Sequence, residues 1–277
     1  MAESAPLALL LVGLAAIVWA THIAVENAIV VARHHRVSDF FIGVVVLAVG
    51  SDLPEIVVSV DAALRQLADQ ETDNLIIGNA IGSCFGQLGL VIGIGGLIGR
   101  LSLPREQLLR HGGFLVAATV ALFLIGLDGS VSRLEGAMMV LGFGGYIYLV
   151  LHDEGLITGE RSLEADEERE RRSVVGNWVR LLIGLAAVVL SAELIVQSAM
   201  SLATSWGVDQ SFIGIAIVGV GTSLPEVVIS IAAVLRRRAG LSVGNLIGSN
   251  ILDTLLPIGL AELLVEVSFP RSILTFD

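Results

Sequence analysis

Lysine is absent from the chain, so all 16 of its basic residues are arginines, and charged residues of either sign occupy only 16% of its positions. Cysteine occurs once, at Cys84, which excludes an internal disulfide. Aromatic residues make up 5% and histidine five positions, so haem, flavin or zinc chemistry has no cluster of candidate ligands. No nucleotide-binding motif is present, which leaves out ATP-driven pumping, and a net charge of −11 gives no basis for a nucleic-acid partner. What the chain has in abundance is apolar surface. With 55% hydrophobic residues and a mean hydropathy of +0.85, too little polar surface remains to coat a soluble globule, so a lipid bilayer must be part of its solvent.

Apolar stretches long enough to cross a hydrocarbon core of about 30 Å predict eight helical spans. They lie at 6–32, 38–66, 75–99, 111–128, 132–151, 177–204, 210–235 and 242–266. The runs are continuous and do not alternate in polarity, which predicts an all-α, polytopic helix bundle and not a barrel. Arginine collects on the cytoplasmic side of membrane proteins. Arg33 and Arg36, Arg100, Arg105 and Arg110, Arg161, Arg169, Arg171 and Arg172, and Arg236 to Arg238 all fall in alternate gaps. The N-terminus is therefore expected outside and the acidic, arginine-rich loop at 152–176 inside. That loop reads as a solvated linker or helix end.

The sequence repeats itself. Residues 50–59 read GSDLPEIVVS and residues 221–230 read GTSLPEVVIS, with six of ten positions identical at an offset of 171. The same offset aligns Gly13 to Ala16 with Gly184 to Ala187. A second pair, GNAIGS at 78–83 and GNLIGS at 244–249, follows at an offset of 166. Five spans precede the second copy, an odd number, so the halves enter the membrane in opposite senses as inverted-topology repeats. The expected organisation is a first repeat at 1–151, the loop at 152–176 and a second repeat at 177–277. Inversion about an axis in the membrane plane predicts that Glu55 and Glu226 meet near the midplane.

Pro54 and Pro225 each lack an amide hydrogen and break their helix in mid-span. Ser223-Leu224-Pro225-Glu226 and Asp52-Leu53-Pro54-Glu55 also have the spacing of a capping box, so capping of a half-helix is one role open to these side chains. Cation binding is the other. An ionisable group at mid-membrane costs at least about 2.5 kcal/mol, and two symmetric carboxylates beside unwound backbone make sense if a cation supplies the missing charge. Ser83 and Gln87 lie one turn apart on one helix face, as do Ser249 and Asp253. With Ser51, Thr222 and freed carbonyls near Ala48 and Gly219, they offer hard oxygens alone, the set that calcium prefers. Gly78, Gly82 and Gly86, and Gly244 and Gly248, recur every four residues and are expected to admit a neighbouring backbone.

GTSLPE with GNLIGSNILD, and GSDLPE with GNAIGSCFGQ, closely resemble the paired α-repeats of the sodium/calcium exchanger family within the calcium:cation antiporter superfamily. The resemblance covers the whole chain. It implies a secondary-active antiporter, not an enzyme, that exchanges Ca2+ for Na+ or H+ by alternating access, the first and sixth spans sliding across a core that holds the ions. It implies that Ser51, Asp52, Glu55, Ser83 and Gln87 from one half, and Thr222, Ser223, Glu226, Ser249 and Asp253 from the other, line the ion sites, with carbonyls from Ala48 and Gly219. No cofactor is implied beyond the transported ions, and a prokaryotic plasma membrane is the expected location. Asp52 stands where the family has a small polar residue and reads equally as an extra ligand or an N-cap; Gln87 stands where Asn or Asp is common. The family has ten spans, five per repeat, so eight spans ending at Asp277 suggest a truncated chain or fragment. A cation channel, and an intramembrane hydrolase in which paired carboxylates share a proton, are the alternative functions. His22 and Glu26, with Glu193 and Gln197 at the matching positions, are expected either to line an ion pathway or to bond between helices.

Overall fold

A computed structural model describes residues 4–67, 73–99, 101–156, 167–208 and 221–269. The described chain is almost wholly helical, as a backbone immersed in lipid must be if its polar groups are to be satisfied within the segment. The helices are α1 (Ser4–His34), α2 (Asp39–Ser51), α3 (Leu53–Gln66), α4 (73–98), α5 (Arg105–Gly126), α6 (Arg133–Asp153), α7 (Glu167–Ser205), α8 (Leu224–Leu235) and α9 (Ala239–Leu264). Six of these are long and apolar enough to span a membrane, and α2 with α3 makes a seventh span bent by 44°. The remaining expected span, 210–235, is described only over α8, its first half lying outside the described residues.

The ends of the helices depart from the apolar runs where polar residues continue the turn outside the hydrocarbon. The helix expected from 111 begins at Arg105, and the one expected from 177 begins at Glu167, so the C-terminal part of the acidic loop is helix. Two π-helical segments, Gly43–Ala48 in α2 and Leu88–Ile92 in α4, stand next to the two motifs. A two-stranded ribbon, β1 (Ser130–Val131) with β2 (Val267–Ser268), ties the turn before α6 to the chain that follows α9.

The repeat is visible in the packing. Helices α1 and α7 pair along their length more extensively than any other two elements. A Cβ added to Gly13 would stand 2.8 Å from the Ile195 side chain, and one added to Gly184 would stand 2.8 Å from the Ala24 amide nitrogen. Gly184 is the repeat equivalent of Gly13, and Ile195 of Ala24, at the same offset of 171. Each contact therefore becomes the other when the halves are exchanged. Residue numbers rise along α1 as they fall along α7, the antiparallel relation that an inverted repeat requires.

The chain reversals repeat as well. Arg36 and Gly207, again 171 apart, both adopt left-handed backbone (φ 53° and 72°). Each is followed by an amide that bonds back over the helix end, Val37 to Ala32 and Val208 to Ala203, both at 3.0 Å. This is the Schellman arrangement that closes a helix with its last carbonyls satisfied.

At the centre lies α9, whose most apolar stretch is 83% buried, against 17 to 44% for the other spans. It is packed by α2, α3, α4, α6 and α8. Gly244 and Gly248 make this possible, because a Cβ on Gly244 would stand 3.0 Å from the Phe40 Cα and one on Gly248 2.9 Å from the Val44 Cα. Gly78 and Gly82 show no such contact. Among the described residues nothing approaches within 4 Å of a Cβ placed on either, and 211 and 215, the repeat equivalents of Phe40 and Val44, lie outside them.

Candidate functional site

The bend between α2 and α3 falls at Asp52, and Pro54 occupies the first turn of α3 just as Pro225 does in α8. The residue before each new helix, Asp52 (φ −85°, ψ 1°) or Ser223 (φ −87°, ψ 5°), has nearly the same backbone. These angles are not the extended ones of an N-cap, and neither side chain caps its helix. The capping boxes expected from the spacing are therefore not formed. Proline removes one amide of the first turn, and the carbonyls of Asp52 and Ser223 instead accept from Ile56 and Val227 at 3.2 and 3.1 Å. A complete capping box does occur at Ser132 and Glu135, where the backbone before α6 is extended.

Freed from capping, the carboxylates turn inward. Asp52, Glu55 and Glu226 are buried, and each offers an oxygen within 4.8 Å of the others. The glutamates of the two repeats do meet. Asp253, on α9, is also fully buried, and its charge acts on Asp52 and Glu55. Among the described residues, both oxygens of Asp52, Glu55 and Glu226, the Asp253 Oδ1 and the hydroxyls of Ser83 and Ser249 have no hydrogen-bond partner. Buried oxygens left unmatched in this way cost free energy, each ionised one by several kcal/mol. They suit hard cations, which take about six to eight oxygens in the case of calcium.

The other predicted residues surround this cluster. Gln87 donates from Nε2 to the Asp253 Oδ2 at 2.9 Å and accepts at Oε1 from Asn250, also at 2.9 Å. Gln87 and Asp253 are repeat equivalents, so this bond spans the pseudo-twofold axis. Ser223 donates its hydroxyl to the Ser83 carbonyl at 3.3 Å, and Ser51 donates to the Leu47 carbonyl at 2.9 Å. Thr222 is half-buried next to them. The Ala48 carbonyl is not freed as expected: it accepts from the Asp52 amide at 2.9 Å and from the Ser51 hydroxyl at 3.3 Å. The π turn shifts the hydrogen-bond ladder without opening it at that point. Gly219 lies outside the described residues.

Three asparagines belong to the site that the motif reading passed over. Asn79 donates to the Glu55 carbonyl at 3.3 Å and to Ser59 Oγ at 3.5 Å. Its repeat equivalent Asn245 donates to the Glu226 carbonyl at 3.2 Å and to Ser230 Oγ at 2.9 Å. Each amide fastens the turn that carries its glutamate to the next helix. The Gly-Asn pair shared by GNAIGS and GNLIGS was the signal. Asn250 completes the set by anchoring Gln87. His22 and Glu26 pair within α1 at 3.1 Å, and both also reach Arg236 just after α8, Glu26 at 4.0 Å, so the bonding between helices expected as one of their two roles is present. Gln197 donates to Glu193 within α7 at 2.6 Å, and all four residues are exposed.

The model of one protein family, sodium/calcium exchanger protein, matches residues 5–152 and 176–277. An uncharacterized membrane protein of Methanocaldococcus jannaschii is 36% identical over 226 residues, covering 80% of this chain and 70% of that one. The sodium/calcium exchanger MaX1 of Methanosarcina acetivorans is 28% identical over 304 residues, covering 97% and 85%. A putative antiporter, CaxA of Alkalimonas amylolytica, is 32% identical over 257 residues, covering 92% and 79%. Among solved structures, the sodium-calcium exchanger NCX_Mj superposes with a TM-score of 0.82 at 32% identity, over 96% of this chain and 85% of that one.

Proposed function

The chain belongs to the sodium/calcium exchanger family, and on that premise we propose that it is an integral membrane antiporter exchanging Ca2+ for Na+ at the buried carboxylate cluster. One observation carries the reading: the glutamates of the two repeats converge, buried and with no basic side chain paired to them among the described residues, on one place in the membrane interior. Glu55, Glu226 and Asp253 supply the charge. The hydroxyls of Ser83 and Ser249 add neutral oxygens, and Ser51, Thr222 and Ser223 frame them. Gln87, held by Asn250, positions Asp253. The related proteins named as exchangers or an antiporter favour exchange over the hydrolase and channel alternatives.

Alternating access follows from the two-body packing. The α1–α7 pair is joined along its length and meets the rest of the bundle at small residues: a Cβ on Gly50 of α2 would stand 2.8 Å from the Leu185 side chain of α7. Such a pair slides as a unit over α2 and α8, opening the cluster to one side and then the other. The first repeat is 1–151, the second 177–277, and 152–176 joins them inside the cell with the N-terminus outside, as the arginine distribution favours.

Radiolabelled calcium uptake into proteoliposomes tests the reading. An outward sodium gradient is expected to drive uptake, and Glu226→Gln to abolish it. Uptake indifferent to the sodium gradient, or unaffected by that substitution, removes the proposed mechanism.

A further inference from the structure

The two repeats do not distribute their acidic residues alike. Asp52 replaces the Ser223 of the other half, whereas Gln87 replaces its Asp253. Each half therefore brings two carboxylates to the cluster, Asp52 with Glu55 and Glu226 with Asp253. The contrast between Asp52 and Ser223 is informative because their backbones agree. Ser223 spends its hydroxyl on the Ser83 carbonyl. Asp52 is 0% exposed, and among the described residues neither of its oxygens meets a hydrogen-bond donor at bonding geometry and it forms no ion pair. It does not cap α3. What it faces is Glu55 and Glu226, with oxygens of all three within 4.8 Å.

Like charges at that separation in a medium of low dielectric repel strongly, and a divalent ion offsets only half of four carboxylates. A further cation is the natural complement of Asp52. We propose that Asp52 is a stoichiometry-setting ligand: it holds one Na+ more than Glu55, Glu226 and Asp253 hold without it. The sodium-loaded site then takes four Na+, one per carboxylate, and each cycle moves one more Na+ per Ca2+ than a protein with serine at this position. The proposal rests on the exchange reading above.

Equilibrium dialysis of the purified protein against 22Na+, without calcium, counts the bound ions. Four Na+ per chain are expected for the native sequence and three for Asp52→Ser. In proteoliposomes, the membrane potential at which sodium-driven 45Ca2+ flux reverses is expected to report a coupling ratio lower by one Na+ in the variant. Equal counts or equal ratios in the two proteins overturn the proposal. Should Asp52→Ser not fold, the native count decides alone, and three Na+ or fewer overturns it, including the case in which protons are displaced in place of the fourth. Four bound Na+ with no sodium-driven calcium flux would sustain Asp52 as a ligand while retiring the antiport reading.

Discussion

At the scale of single residues, the site is a set of hydrogen bonds that aim carboxylates, and each bond predicts the effect of losing it. Replacing Gln87 by Leu leaves the Asp253 Oδ2 without its donor, and the amide of Asn250 keeps only the Leu246 carbonyl, which it reaches at 2.7 Å. An orphaned buried polar group costs about 1–3 kcal/mol, so Gln87→Leu is expected to weaken calcium binding by roughly tenfold or more in dialysis against 45Ca2+. Asn245→Ala removes the tie from α9 to the Glu226 turn, and is expected to lower calcium affinity further than Asn79→Ala, whose bonds are longer. Glu55, Glu226, Ser83, Ser249, Gln87 and Asp253 were legible because chemistry and spacing recur in both halves. The failed capping boxes were not. Whether an S-x-x-E run caps a helix depends on the ψ of its first residue, and spacing alone does not specify that angle. The asparagines escaped because a residue that holds a backbone carbonyl looks, in a one-dimensional string, like any polar residue in a helix.

At the scale of elements, glycines that look alike in sequence separate by what stands opposite them. Gly244→Ala would force a methyl group against the Phe40 backbone and is expected to destabilise by about 1–3 kcal/mol. Among the described residues nothing stands within 4 Å of a Cβ on Gly78, so Gly78→Ala is expected to be neutral or to stabilise by up to about 1 kcal/mol, since glycine weakens a helix interior. Thermal unfolding in detergent compares them; similar losses for both would contradict the packing described. Gly207→Ala is expected to cost about 1–2 kcal/mol for its left-handed backbone alone. The foot of the α1–α7 pair is sensitive to acid. Trp178 donates its indole hydrogen to the His35 Nε2 at 3.0 Å, and burial together with the neighbouring His34 holds His35 below the usual imidazole value. A depressed imidazole binds fewer protons folded than unfolded, so its contribution is present above about pH 6.5 and is lost as the pH falls. Trp178 emission is expected to shift on acidification and to stay constant in His35→Gln. The seven described spans and the position of the bend were legible from apolar runs and proline. Which glycines pack was not, because that is decided by the partner helix.

At the scale of the whole molecule, a calcium-binding native state is stabilised by mass action. At calcium a hundredfold above Kd the gain is about 2.7 kcal/mol, expected as a raised unfolding temperature that Glu226→Gln abolishes. The inverted repeat was legible from two offsets and an odd number of spans, and it reappears as contacts exchanged between Gly13 with Ile195 and Gly184 with Ala24. The same symmetry brings Cys84 within 3.7 Å of the carbonyl of its own counterpart, Asn250, one turn from Gln87. As the sole thiol in the chain, Cys84 is a resident reporter that needs no engineered background. Its alkylation by a membrane-permeant reagent is expected to be slow and to quicken only when the contact with Asn250 and Thr254 opens, which makes the rate a measure of how tightly α4 is held to α9.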